Sequence, residues 1–153
     1  MSVNPVPEGY NTVTPYLLVN RLPELVMFLE QAFDAEIMYR LDRPDGSIMH
    51  IEVGIGDSIV MLGEPMGEIG PMPTSIYLYV GDCDAIYERA IEAGATSVME
   101  PTDMYHAGER YGGVKDPSGN LWWIATHIED VPPEEQARRV VELAKEHGDW
   151  PVN

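Results

Sequence analysis

YGGVKDPSGNLWWIATH, residues 111–127, is the stretch of sequence that decides the fold. It contains two short runs with strand character, Gly112–Lys115 and Leu121–Thr126. Residues 116–120 separate them and consist of Asp, Pro, Ser, Gly and Asn, which favour turns because they preset or tolerate turn backbone angles. The stretch therefore predicts a β-hairpin.

The residues before this hairpin complete a strand–helix–strand pattern. A strand is expected at Ser75–Val80, where every residue but the first is apolar or aromatic. Asp82 or Asp84 is expected to cap a following helix, and Gly94 to end it. Another strand is expected near Ser97–Met99. With the hairpin, the predicted unit is one strand, one helix and three strands.

The same order of elements occurs earlier in the chain. A strand is expected at Val13–Val19, followed by a helix with Pro23 in its first turn and apolar residues at helical spacing from Leu22 to Phe33. Three β segments should follow, at Glu36–Asp42, Ser47–Ile55 and Ser58–Leu62.

The two units align with each other. PYLLV at residues 15–19 matches IYLYV at residues 76–80, and GDSI at residues 56–59 matches GNLW at residues 119–122. Such an internal repeat of about 60 residues predicts two βαβββ modules, which form a curved mixed sheet around a shared cavity in an α+β fold.

The domain organisation follows from this repeat. We expect one domain over residues 1–153, made of a first module over about 10–63, a linker over 64–73, a second module over about 74–128 and a C-terminal helix over about 132–147. The apolar stripe of that helix is expected to pack onto the domain or onto a partner subunit, and it consists of Ala137, Val140, Val141 and Ala144.

Composition restricts the compartment. The single cysteine, Cys83, excludes a disulfide within the chain. The first eleven residues lack the basic and apolar regions of a secretory signal, and the longest apolar runs, such as Ile76–Val80, are too short to span a bilayer. We therefore expect a cytoplasmic protein with no membrane partner.

The formal net charge of −17 is the most unusual feature of the composition. It would repel nucleic acids and anionic lipid surfaces, so neither is expected as a partner. Two interpretations of the acidity remain. It is either a solvated coat that keeps the protein soluble, for example in a salty cytoplasm, or it attracts a cationic ligand.

The hairpin of residues 111–127 resembles the closing hairpin of the PhnB-like branch of the glyoxalase/bleomycin-resistance/dioxygenase, or vicinal-oxygen-chelate, superfamily. Three further stretches are similar to the same branch: VTPYL at 13–17, MHIE at 49–52 with GDS at 56–58, and ERAIEAGA at 88–95. The resemblance covers roughly residues 8–130. It implies the two-module fold and a homodimer in which strands of two subunits complete the cavities.

The resemblance also implies positions for metal ligands, on the first and fourth strand of each half. Aligning the strands places these positions at Thr14 and Val60 in the first half and at Ser75 and Trp123 in the second. Valine and tryptophan offer no lone pair, and neutral hydroxyls bind transition metals weakly. We therefore expect no metal at the usual site and no cofactor.

A substitute metal site is one alternative. The period of two along a strand places His50 and Glu52 on the cavity face, and places His127 there with Trp123. His50, Glu52 and His127 could in principle form a facial triad. The other interpretation is that His50 and Glu52 form a hydrogen-bonded pair that lines the pocket.

The cavity is expected to be rich in aromatic side chains. The same alternation predicts a lining of Tyr16, Leu18, His50, Glu52, Val60, Ser75, Tyr77, Tyr79, Trp123, Ala125 and His127. Aromatic faces near a carboxylate suit a planar, apolar or cationic small molecule. Alternatively, these rings only fill the space between two sheets.

Residues 105–113 are expected to form a loop that runs into a strand. In this loop His106 and Glu109 are candidate catalytic residues, and Arg110 could bind a ligand carboxylate or phosphate. The predicted ligand-binding residues are thus Tyr16, His50, Glu52, Tyr77, Tyr79, Arg110, Trp123 and His127.

The sequence predicts the function less specifically than it predicts the fold. The leading hypothesis is a non-catalytic protein that sequesters a small hydrophobic or cationic molecule, as bleomycin-resistance relatives do. The alternative is an enzyme, a lyase, isomerase or dioxygenase, in which His50 or Glu52 is the base and Arg110 stabilises charge. A ligand-sensing or interaction module is a third possibility, with no sequence feature of its own.

Overall fold

The computed structural model describes residues 3–148 as two βαβββ modules followed by a third helix. The elements of the first module are β1 (Tyr16–Leu18), α1 (Leu22–Phe33), β2 (Glu36–Asp42), β3 (Ile48–Ile55) and β4 (Ser58–Gly63). Those of the second are β5 (Ser75–Tyr79), α2 (Cys83–Glu92), β6 (Thr96–Met104), β7 (Glu109–Lys115) and β8 (Leu121–His127). The C-terminal helix is α3 (Pro133–His147).

The strands form two four-stranded mixed sheets of the same topology. Their orders are β1-β4-β3-β2 and β5-β8-β7-β6, and the first strand of each module runs parallel to its fourth. The remaining neighbours in each sheet are antiparallel. The predicted α+β fold of two related modules is confirmed.

Local features mark both ends of α1 and the start of α2. α1 starts after Arg21, carries a proline in its first turn as predicted, and ends at Asp34 in the left-handed region. α2 is capped by Asp82, whose carboxylate accepts a hydrogen bond from the Ala85 amide at 3.1 Å. Of the two predicted capping residues, Asp82 is therefore the one used.

The side of each sheet that packs on the helices forms the core. In the first module this side carries Leu17, Ile51 and Val53, and in the second it carries Trp122 and Ile124, all fully buried. The opposite side of each sheet forms a face with half-exposed aromatic side chains, called the first face and the second face below.

The prediction that Val60 points into the cavity is wrong. Val60 lies opposite Val53 in the β3–β4 ladder, so both side chains point to the helix side, and both are buried. The neighbouring Met61 lies opposite Glu52 and therefore belongs to the first face.

The strands β6 and β7 are longer than predicted. They pair from Met104 and Glu109 at the hairpin end, so Glu109 and Arg110 lie in a strand and not in a loop. The sequence Glu-Pro-Thr-Asp at 100–103 does not predict this pairing, because an outer strand with mostly exposed side chains need not show apolar alternation.

Helix α3 does not pack through its apolar stripe. Val140 and Val141 are 40 and 54% exposed, whereas Arg139 is buried. The Arg139 guanidinium donates to Glu129 and to the Tyr105 carbonyl and lies 4.3 Å from the Tyr105 ring centroid. An ion-pair network thus holds this helix on the domain. Within residues 3–148, none of the helices is long and apolar enough to cross a membrane.

The turn between β7 and β8 is built around a buried carboxylate. Asp116 accepts hydrogen bonds from the Ser118 amide, from both the amide and the side chain of Asn120, and from the Trp122 indole, at 2.8–3.0 Å. The Trp122 ring lies 5.0 Å from that of Phe33 in α1. The same turn therefore shapes the hairpin and joins the two modules.

Replacing Asp116 should destabilise the fold. Asp116→Ala removes the acceptor of buried donors, so we expect the free energy of unfolding to fall by about 3 kcal/mol in urea denaturation. Asp116→Asn, which keeps one acceptor oxygen, should lose less. Glu88→Ala on the exposed surface of α2 is the control, and an equal loss in Asp116→Ala and Glu88→Ala would contradict the role of Asp116.

Candidate functional site

The first face contains a hydrogen-bonded carboxylate. Glu52 on β3 is only 7% exposed, and its two oxygens have different partners. His50 Nε2 lies 3.0 Å from Oε1, and the Tyr10 hydroxyl donates to Oε2. The burial of Glu52 is tolerated because these donors replace water around it. The predicted pairing of His50 with Glu52 is present in the structure.

Aromatic rings surround this pair. The Tyr16 ring meets the His50 ring edge to face at 5.6 Å, and the Tyr39 ring lies at 6.3 Å. Gly63 makes room for Tyr16, because a Cβ atom at position 63 would lie 2.7 Å from the Tyr16 hydroxyl. The phenol of Tyr16 therefore lies across β4 beside His50.

Tyr10 reaches the first face from the segment before β1. Residues 3–14 form no helix or strand, and the segment passes over the sheet with Gly9 next to Ile59. The hydrogen bond to Glu52, with burial and the charge of Glu52, raises the pKa of Tyr10. Sequence alone did not identify Tyr10, because its partner lies 42 residues away.

The second face is organised around Glu109. Its side chain is 16% exposed, and its carboxylate accepts a hydrogen bond from the Tyr79 hydroxyl at 2.8 Å and another from the Tyr77 hydroxyl. Burial, followed by its hydrogen bond to Glu109, raises the pKa of Tyr77 strongly, and the separate hydrogen bond that Tyr79 donates to Glu109 raises the pKa of Tyr79. Both phenols act as donors, because an ionised carboxylate only accepts hydrogen bonds.

A continuous row of rings extends from this carboxylate. Tyr77 lies 5.2 Å from Tyr79 and 5.8 Å from Tyr111, and Tyr111 lies 6.0 Å from Trp123, with tilted or edge-to-face geometry throughout. We call Tyr77, Tyr79, Tyr111, Trp123 and Glu109 the aromatic row. Tyr111 and Glu109 could have been assigned from sequence by extending the alternation of β7 back from Gly113.

The indole of Trp123 lies flat on the second face. Gly113 permits this, since a Cβ atom there would lie 2.7 Å from the indole. The indole N–H donates to the Ser75 hydroxyl at 3.1 Å. The resemblance implies metal-ligand positions at Ser75 and Trp123 in the second half, and these two side chains are thus hydrogen-bonded to each other.

The residues at the family's metal positions do not fit a divalent metal. With Met61 replacing Val60 as the inward residue of β4, the four positions hold Thr14, Met61, Ser75 and Trp123. The Thr14 hydroxyl donates to the Asn11 carbonyl, and a thioether suits only soft metals. No carboxylate or imidazole stands at any of these positions.

The structure does not bring the alternative triad together. His127 lies on β8 of the second sheet, where its ring contacts Asp130 at 2.8 Å and Glu109 at 3.9 Å, whereas His50 and Glu52 lie on the first sheet. Among residues 3–148, no group of three or more His, Cys, Asp or Glu side chains is arranged to hold a metal ion.

Arg110 lies on the helix side of its sheet, away from the other predicted ligand-binding residues. It is opposite Thr126 in the β7–β8 ladder and forms a two-point ion pair with Asp84 at 2.7 and 2.8 Å. A further ion pair with Asp103 at 3.0 Å occupies the guanidinium. Its position therefore offers no support for a role beside His50 and Glu52.

A cleft lies between the two modules beside the aromatic row. Its volume is about 740 Å³. Its walls include Tyr77 and Tyr79 from β5, Phe33 from the end of α1, and the acidic residues Asp34 and Asp57. The cleft therefore joins aromatic surface to negative charge.

A family model identifies the family, and curated relatives match most of the chain. Residues 9–124 match the family model described as Glyoxalase/Bleomycin resistance protein/Dioxygenase superfamily. An uncharacterized protein of Mycobacterium bovis (Mb0911c) is 32% identical over 146 residues, which cover 88% of this chain and 93% of that protein. An uncharacterized protein of Mycobacterium tuberculosis (Rv0887c) is also 32% identical, with 88 and 83% covered.

Solved structures share the fold at lower identity. TioX from Micromonospora sp. ML1 has a TM-score of 0.63 at 23% identity, with 80% of this chain and 100% of that one covered. A glyoxalase-related enzyme from Fulvimarina pelagi has a TM-score of 0.62 at 17% identity (76 and 87% covered). The PhnB protein from Bacillus cereus has a TM-score of 0.60 at 16% identity (76 and 99% covered).

His127 should titrate above the ordinary histidine range. The hydrogen bond to Asp130, followed by the charges of Asp130 and Glu109, raises its pKa. Asp130→Asn should lower that pKa in a pH titration of the imidazole signals by NMR, and Glu109→Gln should lower it less. The other three histidines provide the control, and an unchanged His127 titration in Asp130→Asn would contradict the assigned cause.

Proposed function

Because the chain belongs to the glyoxalase/bleomycin resistance protein/dioxygenase superfamily, we propose that it binds and sequesters a small aromatic cation on its second face, without a metal ion. The chain has the fold of the family, and a carboxylate among aromatic rings would take the place of the metal ion. By holding such a molecule, the protein would protect the cell from a toxic cation. The family name records a similar role in bleomycin resistance.

The observation that supports this proposal is the placement of Glu109 in the aromatic row. Two phenol hydroxyls hold its carboxylate, so the negative charge has a defined position beside Tyr77 and Tyr79, and the rings continue from there through Tyr111 to Trp123. Aromatic faces attract cations through the ring quadrupole, and a partly desolvated carboxylate adds a Coulomb attraction. The net charge of −17 would also accelerate the encounter with a cation.

The enzyme alternative receives less support from the positions of its residues. It needs a base and a cationic group that stabilises developing charge at one site. His50 and Glu52 form a pair on the first face, but Arg110 points to the opposite side of the other sheet. We therefore favour binding over turnover as the function of the second face.

We also propose that two copies associate. Aromatic side chains of both faces remain well exposed in the single chain, including Tyr16 at 48% and Tyr79 at 63%. The apolar stripe of α3 is exposed as well. A second copy would cover such surface and enclose the ligand more fully.

The ligand class can be tested with a matched pair of ions. Tetraphenylphosphonium and tetraphenylborate have nearly the same size and opposite charge. The cation should quench Trp123 fluorescence at low concentration and raise the melting temperature, whereas the anion should do neither. Glu109→Gln should weaken cation binding roughly tenfold, since a lost interaction of about 1.4 kcal/mol is a factor of ten.

Two variants control this titration. Trp123→Phe identifies the reporter, because Trp122 is buried and Trp150 lies outside the described residues. Glu88→Gln on the surface of α2 removes the same charge away from the second face and should leave the affinity unchanged. Equal responses to the two ions, or equal losses in Glu109→Gln and Glu88→Gln, would contradict cation recognition by Glu109.

The proposed association has a direct measurement. Light scattering coupled to gel filtration should give twice the mass of the chain. Val141→Lys would place a charge on the exposed stripe of α3 and should shift the mass toward that of a monomer if this stripe lies in the interface. A strict monomer for the unaltered protein at high concentration would refute the homodimer.

A further inference from the structure

We infer that the first face is a second binding site for an aromatic cation, and that the protein's own N-terminal segment, residues 3–14, occupies it in this structure through Tyr10. The inference rests on the proposed function, because it assigns the same class of ligand to both faces. The first face differs from the second in the residues that would contact the ligand. It also differs in the free-energy cost of binding, since the N-terminal segment must leave before a ligand can bind.

The first face carries several of the same kinds of side chain as the second. Glu52 corresponds in role to Glu109, and His50 corresponds to His127. The rings of Tyr16 and Tyr39 lie against His50 and provide aromatic surface near the carboxylate. The two modules share one topology, so both clusters lie on the side of a sheet that the helices do not cover. Each module thus offers a carboxylate with tyrosine rings and an imidazole.

Tyr10 occupies the place where a ligand would contact Glu52. Its phenol brings an aromatic ring and a hydrogen-bond donor to the carboxylate, which are two of the features that an aromatic cation would bring. With Tyr10 and His50 both hydrogen-bonded to it, Glu52 is 7% exposed. On the second face the tyrosines that donate to Glu109 belong to strand β5 and not to a separate segment.

The covering segment is weakly held. Residues 3–14 form neither helix nor strand, and Val3 and Val13 are almost fully exposed. Within the segment, the Tyr10 amide donates to the Pro7 carbonyl in a local turn. A segment with so few backbone bonds to the domain opens at a low free-energy cost, so a cation with greater attraction for Glu52 can displace the neutral phenol.

Occupation by Tyr10 makes the first face the weaker of the two sites. The apparent dissociation constant equals the intrinsic constant divided by the fraction of molecules in which the segment is undocked. The ligand therefore fills the second face first, and the first face only when its concentration is high. The segment sets the threshold for this second binding event.

The histidines allow both faces to be followed in one experiment. Imidazole signals in ¹H–¹³C NMR are few, since the chain has four histidines. His50 reports on the first face and His127 on the second. The probe is tetraphenylphosphonium, titrated into the full chain and into Tyr10→Ala, with Val13→Ala as a control in the same segment.

Removal of the Tyr10 side chain should lower the probe concentration that half-shifts His50 by about tenfold, which corresponds to a docked segment in about nine molecules of ten. The His127 titration should not change in either variant. Adding Glu52→Gln to Tyr10→Ala should abolish the gain at His50, because the cation then loses its carboxylate.

The possible outcomes distinguish failure of the first-face site from failure of the proposed function. An equal His50 response in the full chain, Tyr10→Ala and Val13→Ala would overturn the inference, as would no His50 response in Tyr10→Ala. Failure of the proposed function is seen at His127 instead, which would then not respond to the cation in any variant. A His50 response that survives Glu52→Gln would refute the cation assignment for the first face.

Discussion

The carboxylate of Asp116 sets the geometry on which the rest of the structure depends. It is buried, and it holds the Ser118 and Asn120 amides and the Trp122 indole in one tight turn. A buried charge is stable only when such donors replace its hydration, so these hydrogen bonds stabilise this conformation of the turn. Trp122 then packs against Phe33 of the first module, and this contact helps fix how the two modules meet.

This junction leaves one side of each sheet without a covering helix. Each of these sides carries a carboxylate that accepts hydrogen bonds from tyrosine: Glu52 accepts one from Tyr10 on the first face, and Glu109 accepts from Tyr77 and Tyr79 on the second. Related proteins can place a metal between the sheets. In this chain Trp123 and Ser75 occupy two of the positions that hold metal ligands in such proteins, and their side chains are hydrogen-bonded to each other. Aromatic surface and carboxylate charge are therefore the groups available for binding.

Much of this arrangement follows from local rules in the sequence. Alternation along β3 correctly placed His50 and Glu52 on one face, and alternation along β8 placed Trp123 and His127 together. The repeat was less reliable for Val60, because the offset between the halves is 61 residues for the first strands (Tyr16 and Tyr77) but 62 for the fourth strands (Met61 and Trp123), and a change of one residue reverses the face. Only the pairing of Val60 with Val53 decided which way its side chain points.

By itself, the sequence determined the α+β class, the two related modules and the aromatic character of their open faces, because these depend on periodicity and turn residues that act over a few positions. The tertiary structure decided which groups meet. Tyr10 reaches Glu52, Arg110 turns toward α2, and Glu109 joins the tyrosines of β5. Such contacts link residues tens of positions apart, so they depend on strand register and on the path of the whole chain, which no local pattern encodes.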